Sequence, residues 1–371
     1  MRIAVITIFS VPNFGSVLQA YATQAILQEM GHDCDIINYA FPNEWYYAQG
    51  VRKTHWLKQF IYNLGILRGT KKELKLKKFR KKYYNFTPFF PDPESLQSYD
   101  WSKYDILTVG SDQVWNTRFT YGDSSFLLGF GDENLKRISI ASSFACSSIP
   151  SDFEDGFRSY LSRFSAISVR EKQGLNIICQ QLGIDTNLHL CLDPTLLLSH
   201  KQWISAFSNG KMHKPKRPYI LLYMWTYAFE PRPYIFEVIK AFQEKYGYDV
   251  IALEGYTSPK QASGIVMTDM SDSSIDQFMT LFDNASLVVT SSFHGTAFAV
   301  NFGKPVISIV PANANDDRQS SLLESVGANG SIVPVGMPIE HINPFYDKET
   351  VLANLERLRR ESLDWITTAL K

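Results

Sequence analysis

Short apolar runs rich in β-branched residues alternate with helical stretches along almost the whole of this 371-residue chain. The pattern predicts strands at Ile3–Ile8, Cys34–Tyr39, Tyr104–Val109, Arg137–Ala141, Ala166–Val169, Tyr219–Met224, Asp249–Leu253, Ser286–Thr290 and Pro305–Val310. It predicts helices between them, at Ser16–Met30, Phe153–Phe164, Glu171–Leu182, Arg232–Tyr246 and Ile275–Asp283. This alternation is typical of parallel sheets that carry helices on both faces, so the predicted fold class is α/β.

The chain is too long for one ordinary hydrophobic core, which favours two domains. Turn-forming and charged residues accumulate between Ser199 and Pro218. A break there predicts a Rossmann-like domain over residues 1–199 and a second over residues 200–347. The last helix, over residues 348–371, is predicted to pack back onto the first domain. The expected architecture is two Rossmann-like domains facing across a cleft.

Composition excludes several classes of function. Lys and Arg together number 37, as do Asp and Glu, so net charge argues against a nucleic acid partner. The four cysteines are scattered without CxxC or metal-ligand spacing, which predicts a reducing compartment and no metal site. No apolar run approaches the length of about 18 residues that a membrane helix needs. Because a strand directly follows the first residue, we expect a cytoplasmic protein.

The segment Arg52–Lys82 interrupts the alternation. It contains twelve Lys or Arg and one acid, Glu73, and its apolar residues recur at helical spacing. A basic amphipathic stretch suits a phosphate-rich acceptor or peripheral association with an anionic membrane surface, which for a cytoplasmic protein is the inner face. The alternative is a solvated helical insertion whose apolar stripe packs on its own domain.

The most chemically suggestive motif runs from Leu287 to Val300. A buried-strand pattern stops at two serines, and His294 and Gly295 follow where a helix begins. Open α/β sheets bind ligands at the carboxyl ends of their strands, beside helix N-termini. Ser292 and His294 are therefore candidate site residues, and the alternative for His294 is that it caps or packs the helix.

Two further strand ends carry polar residues. After the first strand, Asn13 and Ser16 flank Gly15, without the GxGxxG pattern of a dinucleotide site. In the alternative interpretation Gly15 serves the turn and Ser16 is the N-cap. After the strand that ends at Val109 comes Gly110, followed by four candidates for sugar binding: Ser111, Asp112, Gln113 and Trp115.

Asp112 and Gln113 suit sugar hydroxyls, and Trp115 suits the apolar face of a pyranose. The alternative is that Ser111 or Asp112 caps a short helix. Asp193, before Pro194, is read mainly as a turn residue that precedes the linker.

Two arginines complete the set of candidates. Arg170 ends the strand Ala166–Val169, where a guanidinium can bind an anion through two hydrogen bonds. Arg318 begins a helix that follows the strand Pro305–Val310. A cation at that position opposes the helix dipole at a cost of about 0.3–1 kcal/mol unless an anion is nearby.

Taken in order, these motifs resemble the polysaccharide pyruvyl transferase family. The resemblance rests on residues 13–20, 110–116, 168–171, 193–197 and 291–298. It implies a GT-B-like fold and the transfer of a pyruvyl group from phosphoenolpyruvate, as donor substrate, to two hydroxyls of a sugar, with no cofactor. His294 and Arg170 match the family's histidine and arginine motifs, and Arg318 matches its later basic residue. Many members have aspartate where this chain has Ser16, and arginine where it has Ser292.

The resemblance implies the following hypothesis. His294 is the catalytic proton donor, and Arg170, Arg318 and Ser292 bind the donor. Acceptor-binding residues are Asn13, Ser16, Ser111, Asp112, Gln113 and Trp115. The acceptor is a polysaccharide or glycan precursor, and a lipid-linked one would agree with a basic segment at a membrane. Two alternatives stay open, a GT-B glycosyltransferase that uses a nucleotide-sugar and a non-catalytic sugar- or anion-binding relative.

Overall fold

The computed structural model describes residues 1–40, 71–207, 215–254, 264–313 and 315–371. These residues form two compact units. The first unit comprises Met1–Leu197 and Glu361–Lys371, and the second comprises Leu198–Arg360. The predicted break between residues 199 and 200 lies two residues from this division.

The first unit is built on a parallel sheet that has seven strands among the described residues. The strands are β1 (Arg2–Ile6), β2 (Asp33–Tyr39), β3 (Phe86–Phe90), β4 (Ile106–Val109), β5 (Lys136–Ser139), β6 (Ala166–Val169) and β7 (Asn187–Leu190). Their spatial order is β3-β2-β1-β4-β5-β6-β7. Chain order reverses between β1 and β4, so their adjacent carboxyl ends form the switch point at which such sheets bind ligands.

Helices connect these strands. They are α1 (Phe14–Glu29), α2 (Lys71–Tyr83), α3 (Pro93–Gln97), α4 (Thr117–Thr120), α5 (Ser151–Leu161), α6 (Lys172–Asn176) and α7 (Pro194–Leu197). The helix predicted over Glu171–Leu182 is shorter than expected, because α6 passes into a π-helical turn at Ile177–Gln181.

The second unit contains a parallel sheet of six strands in its described part. The strands are β8 (Tyr219–Tyr223), β9 (Asp249–Glu254), β10 (Thr268–Asp269), β11 (Leu287–Thr290), β12 (Val306–Val310) and β13 (Ile332–Pro334). Their order is β10-β9-β8-β11-β12-β13. The switch point of this sheet lies between β8 and β11, where Tyr223 pairs with Thr290.

The helices of the second unit are α8 (His200–Phe207), α9 (Tyr234–Tyr246), α10 (Ile275–Asn284), α11 (Phe293–Asn301) and α12 (Arg318–Val326), together with the part of α13 (Lys348–Leu370) that ends at Arg360. Their ends follow local rules. At the start of α10, for example, Ser274 accepts a hydrogen bond from the backbone N–H of Gln277, whose side chain bonds back to Ser274. This capping box satisfies two backbone donors that would otherwise lack a helical partner.

Two further predictions concern the last helix and the basic segment Arg52–Lys82. Helix α13 was predicted to pack back onto the first domain, and its residues from Glu361 onward belong to the first unit. Residues 52–70 of the basic segment lie outside the described residues, and its remainder forms α2. Within the described ranges, every helix is too short or too polar to span a bilayer.

Candidate functional site

The loops after β1 and β4 meet closely at the first switch point. A Cβ atom on Gly110 would lie 3.0 Å from the Thr7 Cβ atom and 3.1 Å from a methyl group of Val5, so little more than glycine fits there. The Thr7 hydroxyl donates to the Ser111 carbonyl oxygen at 2.6 Å and accepts from the Gln19 amide at 3.0 Å. These contacts fix the backbone just before Asp112.

Asp112 occupies this fixed loop in an unusual backbone conformation. Its φ angle is +76°, in the left-handed region that aspartate tolerates better than most residues. Its Oδ2 atom accepts a hydrogen bond from the Ser16 hydroxyl at 2.5 Å, and its Oδ1 atom accepts one from the Gln113 backbone N–H at 2.9 Å. The structure therefore brings the predicted residues Ser16 and Asp112 together, although they are far apart in sequence.

Arg170 lies at the end of β6, among acids of the same unit. Its Nη1 atom is 2.6 Å from Asp193 Oδ2, and its Nη2 atom is 3.7 Å from Asp112 Oδ1. Its Nε atom is 4.0 Å from Glu171 Oε2. The guanidinium is fully buried, and a buried charge is stable only when opposite charges and hydrogen bonds surround it. This arrangement gives Arg170 a counter-ion role and does not support the predicted donor-binding role.

Asp193 is a site residue that the sequence interpretation missed, because Asp-Pro also describes an ordinary turn. Its side chain is fully buried. Oδ1 accepts hydrogen bonds from the backbone N–H and the hydroxyl of Thr195, and Oδ2 accepts one from the Ser111 hydroxyl at 2.7 Å. The signal was available in the sequence: this acid follows the apolar pair Cys191-Leu192 at the end of a strand.

The structure shows that the predicted role of Trp115 as a sugar-binding platform is wrong. Its ring is 0% exposed and packs in the hydrophobic core, 5.1 Å from the ring of Phe144 between centroids. Its indole N–H donates to the Phe126 carbonyl oxygen at 3.0 Å. A fully buried ring has no face to offer a pyranose, so Trp115 is a core residue.

Capping roles also differ from the alternatives considered above. Asn13, and not Ser16, is the N-cap of α1, with its side chain accepting from the Gly15 N–H at 2.8 Å. The short helix α4 is capped by Asn116 rather than by Ser111 or Asp112. The Gln113 side-chain oxygen accepts from the Asn116 amide at 2.9 Å. Asn13 and Gln113 therefore both have structural hydrogen bonds at this strand end.

The second switch point is held by hydroxyl groups. The Thr290 hydroxyl donates to the Tyr223 carbonyl oxygen at 2.6 Å, which joins the ends of β11 and β8. One residue later, the Ser291 hydroxyl donates to the Trp225 carbonyl oxygen at 2.7 Å and accepts from the Trp225 backbone N–H at 2.9 Å. The turn before His294 is thus hydrogen-bonded to the segment that follows β8.

Helix α11 begins in close contact with this turn. A Cβ atom on Gly295 would lie 2.2 Å from Thr290 Oγ1 and 2.8 Å from a ring carbon of Tyr223, so the close packing requires glycine. Ser292 is the N-cap, with its hydroxyl oxygen 3.4 Å from the Gly295 N–H. His294 is therefore not the cap. It lies in the first turn of α11 and is 5% exposed.

Arg318 begins α12, the helix that follows the neighbouring strand β12. Its Nε atom donates to Asp316 Oδ1 at 2.8 Å, and its Nη2 atom contacts Asp316 Oδ2. This bidentate pair supplies the negative charge that a cation at a helix start needs. Buried Gln319 bonds to the Ser308 hydroxyl at 2.7 Å, and Ser308 bonds at 2.7 Å to Thr296 on α11. These bonds tie α12 to α11, and so Arg318 and His294 lie on linked helices.

The predicted residues fall into two groups. Asn13, Ser16, Ser111, Asp112, Gln113 and Arg170 lie at the carboxyl ends of strands in the first unit. Ser292, His294 and Arg318 lie at the carboxyl ends of strands in the second unit. Among the described residues, no group of three or more His, Cys, Asp or Glu has a geometry that could hold a metal ion.

The profile of the polysaccharide pyruvyl transferase family matches residues 13–313 of the chain. No functionally curated protein matches the sequence significantly.

Solved structures with a similar fold include a UDP complex of MnaA from S. aureus, at 12% identity and a TM-score of 0.55, covering 97% of this chain and 90% of that one. A putative UDP-N-acetylglucosamine 2-epimerase from Listeria monocytogenes has 13% identity and a TM-score of 0.51, with 98% and 90% covered. The likeness confirms the predicted GT-B-like class of two parallel-sheet α/β domains.

Proposed function

The chain belongs to the polysaccharide pyruvyl transferase family, and on that premise we propose that it transfers a pyruvyl group from phosphoenolpyruvate to two hydroxyls of a sugar, forming a cyclic ketal. The observation that carries the proposal is the extent of the family match. It covers residues 13–313 and so includes Ser16, Asp112, Arg170 and His294. Arg318 lies just beyond its end.

His294 is proposed as the general acid. It would give a proton to C3 of the donor, so that the methylene becomes a methyl group and C2 becomes electrophilic. A side chain with this role needs a constant position, because proton transfer requires a heavy-atom separation of about 2.6–3.2 Å. Two features meet this need: Ser292 caps the helix that carries His294, and Gly295 packs on Thr290.

Arg318 is proposed to bind the carboxylate or the phosphate of the donor, with Ser292 at the neighbouring helix start. Phosphoenolpyruvate carries two anionic groups, so cations and helix N-termini stabilise it. The bidentate contact with Asp316 fixes the plane of the guanidinium before any donor binds. We assign no donor contact to Arg170, because its guanidinium is buried beside Asp193.

The proposed reaction balances as follows. One sugar hydroxyl adds to C2 and loses its proton, and the bond from C2 to the phosphate oxygen breaks, with its electron pair leaving on phosphate. The second hydroxyl then adds to C2, loses its proton and closes the ketal. Of the two hydroxyl protons, one restores the proton that His294 gave to C3, and the other leaves with phosphate.

The polar residues of the first unit are proposed to bind the acceptor. Ser16 and Asp112 are the strongest of them, because they are joined by a hydrogen bond at the first switch point. Asn13, Ser111 and Gln113 would support them through the turn.

A lipid-linked acceptor at the cytoplasmic membrane surface is a further part of the proposal. Helix α2 has exposed lysines, among them Lys77 and Lys78, whereas Lys72 is buried against the ring of Phe14. Charge reversal at Lys77 and Lys78 should abolish binding to vesicles of anionic phospholipid. Unchanged binding would make α2 an ordinary solvated helix.

The direct test is to incubate the purified protein with labelled phosphoenolpyruvate and a panel of sugar diols. Phosphate release together with acceptor labelling is the expected result. Thermal protection by UDP or GDP, but not by phosphoenolpyruvate, would instead favour the nucleotide-sugar glycosyltransferase. Activity should survive a strong chelator, because no step uses a metal.

His294→Ala should lower turnover roughly 10²–10⁴-fold, the usual contribution of general acid–base catalysis. His341→Asn is the matched control, because His341 is exposed and lies away from the strand ends. Near-normal turnover of His294→Asn would contradict the acid role and leave His294 as a group that orients the donor.

A further inference from the structure

One acid of the cluster around Arg170 differs from the others in exposure. Asp112, Glu171 and Asp193 each have an oxygen within 4.0 Å of the guanidinium. The side chains of Glu171 and Asp193 are 0% exposed, whereas that of Asp112 is 9% exposed. Of these described acids, Asp112 is therefore the one whose side chain keeps some exposure to solvent.

Hydrogen bonds hold both oxygens of Asp112. Oδ1 accepts from the Gln113 backbone N–H at 2.9 Å, and Oδ2 accepts from the Ser16 hydroxyl at 2.5 Å. Each carboxylate oxygen has two lone pairs, so these bonds orient the group and leave it capacity for a substrate hydroxyl. A reacting group that is already oriented avoids an entropic cost in the transition state.

The surrounding residues also hold Asp112 in its backbone conformation. At φ +76° a residue other than glycine is strained, and the conformation persists where neighbouring contacts hold it in place. Those neighbours are the hydrogen bond between Thr7 and the Ser111 carbonyl and the pairing of Asp112 with Ser142. Such strain is frequent at functional sites, and here it occurs at the least buried of the three acids.

Three buried residues, Arg170, Asp193 and Ser111, interact behind this carboxylate or next to it in sequence and help to fix its position. The Arg170 Nη2 atom lies 3.7 Å from Asp112 Oδ1, and its Nη1 atom lies 2.6 Å from Asp193 Oδ2. The Ser111 hydroxyl, one residue before Asp112, bonds to the same Asp193 oxygen. Arg170, Asp193 and Ser111 therefore act on Asp112 and not on a ligand directly.

We propose that Asp112 is the general base that accepts the proton of an acceptor hydroxyl as that hydroxyl adds to C2 of the donor; this inference rests on the proposed function. The O–H bond breaks, its electron pair forms the new bond between oxygen and C2, and the proton moves to an oxygen of Asp112. Asp112 then returns the proton to the departing phosphate or to solvent. Ser16, Arg170 and Asp193 are positioning residues for this base.

The test is the substitution Asp112→Asn. Asparagine has the same shape and also tolerates positive φ, so the variant should fold, whereas alanine would be strained. The expected loss in kcat is roughly 10²–10⁴-fold, with the acceptor KM changed by less than about threefold. Asp155→Asn is the control, because Asp155 is 98% exposed, and its activity should be unchanged.

Substitution of the positioning residue Ser16 should have a smaller effect. Ser16→Ala removes one hydrogen bond to the carboxylate and should lower kcat about 5–10-fold. Ser16→Thr keeps a hydroxyl and should recover most of the loss. A Ser16→Ala loss as large as that of Asp112→Asn would overturn the assignment of the base to Asp112.

The outcomes separate this inference from the proposed function. Wild-type protein that releases no phosphate with any diol would overturn both. Wild-type activity that Asp112→Asn keeps within about threefold would overturn the base role alone. A higher acceptor KM at unchanged kcat would also overturn it, and would make Asp112 a binding contact only.

Discussion

The two switch points occupy equivalent places in two parallel sheets, but the strand ends around them are held differently. In the first unit, the hydroxyl contacts of Thr7 and Ser16 are accompanied by a buried charge network, in which Arg170 lies among three acids. In the second unit, the strand ends are joined by hydroxyl groups and close contact, with Thr290 and Ser291 bonded across strands and Gly295 packed on the sheet.

The difference matters because the two kinds of contact have different energetic consequences. Buried ion pairs add little net stability, since desolvation offsets their attraction, but the loss of one partner is severe. Neutral hydrogen bonds contribute about 1 kcal/mol each to stability, and the loss of one partner is less destabilising than the loss of a buried charge. A charged network of this kind is therefore costly to disturb, and we propose that its role is to orient the carboxylate of Asp112.

The largest expected effect in this comparison comes from Arg170→Met. It leaves Asp112, Glu171 and Asp193 without their common counter-ion and should lower the free energy of unfolding by about 3–5 kcal/mol. Arg217→Met is the control, because Arg217 forms an exposed pair with Asp249 and should cost at most about 1 kcal/mol. Chemical denaturation measures both. Equal losses in the two variants would refute the difference between buried and exposed pairs.

Gly295→Ala should have the next largest effect. The added methyl group would meet Thr290 Oγ1 and the Tyr223 ring, so the turn must shift at a cost of about 1–3 kcal/mol. Gly156→Ala is the control, with an effect of opposite sign. Gly156 lies inside α5 and has no atom within 4 Å of its Cβ position, so the variant should raise the free energy of unfolding by about 0.5–1 kcal/mol. If thermal unfolding shows Gly295→Ala to be as stable as wild type, contact at the second switch point is looser than described.

Ser291→Ala tests the hydroxyl contacts directly. It removes both hydrogen bonds to the Trp225 backbone and should lower the free energy of unfolding by about 1–2 kcal/mol, which is less than the effect expected for Arg170→Met. Ser98→Ala, at an exposed helix end, should change stability by less than about 0.5 kcal/mol. If Ser291→Ala lowers the free energy of unfolding more than Arg170→Met does, the expected ranking of the two kinds of contact is wrong.

The smallest effect is on thiol reactivity. Burial raises the pKa of the Cys191 thiol to about 12, although hydrogen bonds with Ser362 and Ser168 oppose the shift. Because the thiolate is the reactive form, maleimide should label exposed Cys179 in the native protein and reach Cys191 only on unfolding. In Arg170→Met, labelling of Cys191 should accelerate, since Asp193 lies two residues away. Labelling of Cys191 and Cys179 at equal rates in wild type would show that this strand end is open.

Apolar patterning predicted the central strands of both sheets and missed the edges. The four strands that it missed among the described residues, β3, β7, β10 and β13, are the outer strands of their sheets. An edge strand is only partly buried, so it needs no continuous apolar run: β7 reads Asn-Leu-His-Leu, and β10 is exposed throughout. The central strand β11 is buried at every position and was recognised almost to the residue.

The site was predictable as a set of positions but not as a set of roles. The positions follow from topology, because polar residues after buried parallel strands gather at one edge of a sheet. The roles depend on burial. Trp115 suited a sugar face in sequence, yet its ring is in the core, and Asp193 looked like a turn residue, yet it is the counter-ion of Arg170.

By itself, the sequence determined the α/β class, the central strands, the family and the polar turns after β1, β4, β6 and β11, because local periodicity and turn chemistry are properties of neighbouring residues. Only the tertiary structure decided which charges are paired and which reach the surface. Ser16 and Asp112, for example, become hydrogen-bonded neighbours through the pairing of two strands distant along the chain. Such long-range contacts determine burial and electrostatic environment, and a residue's chemistry depends on both.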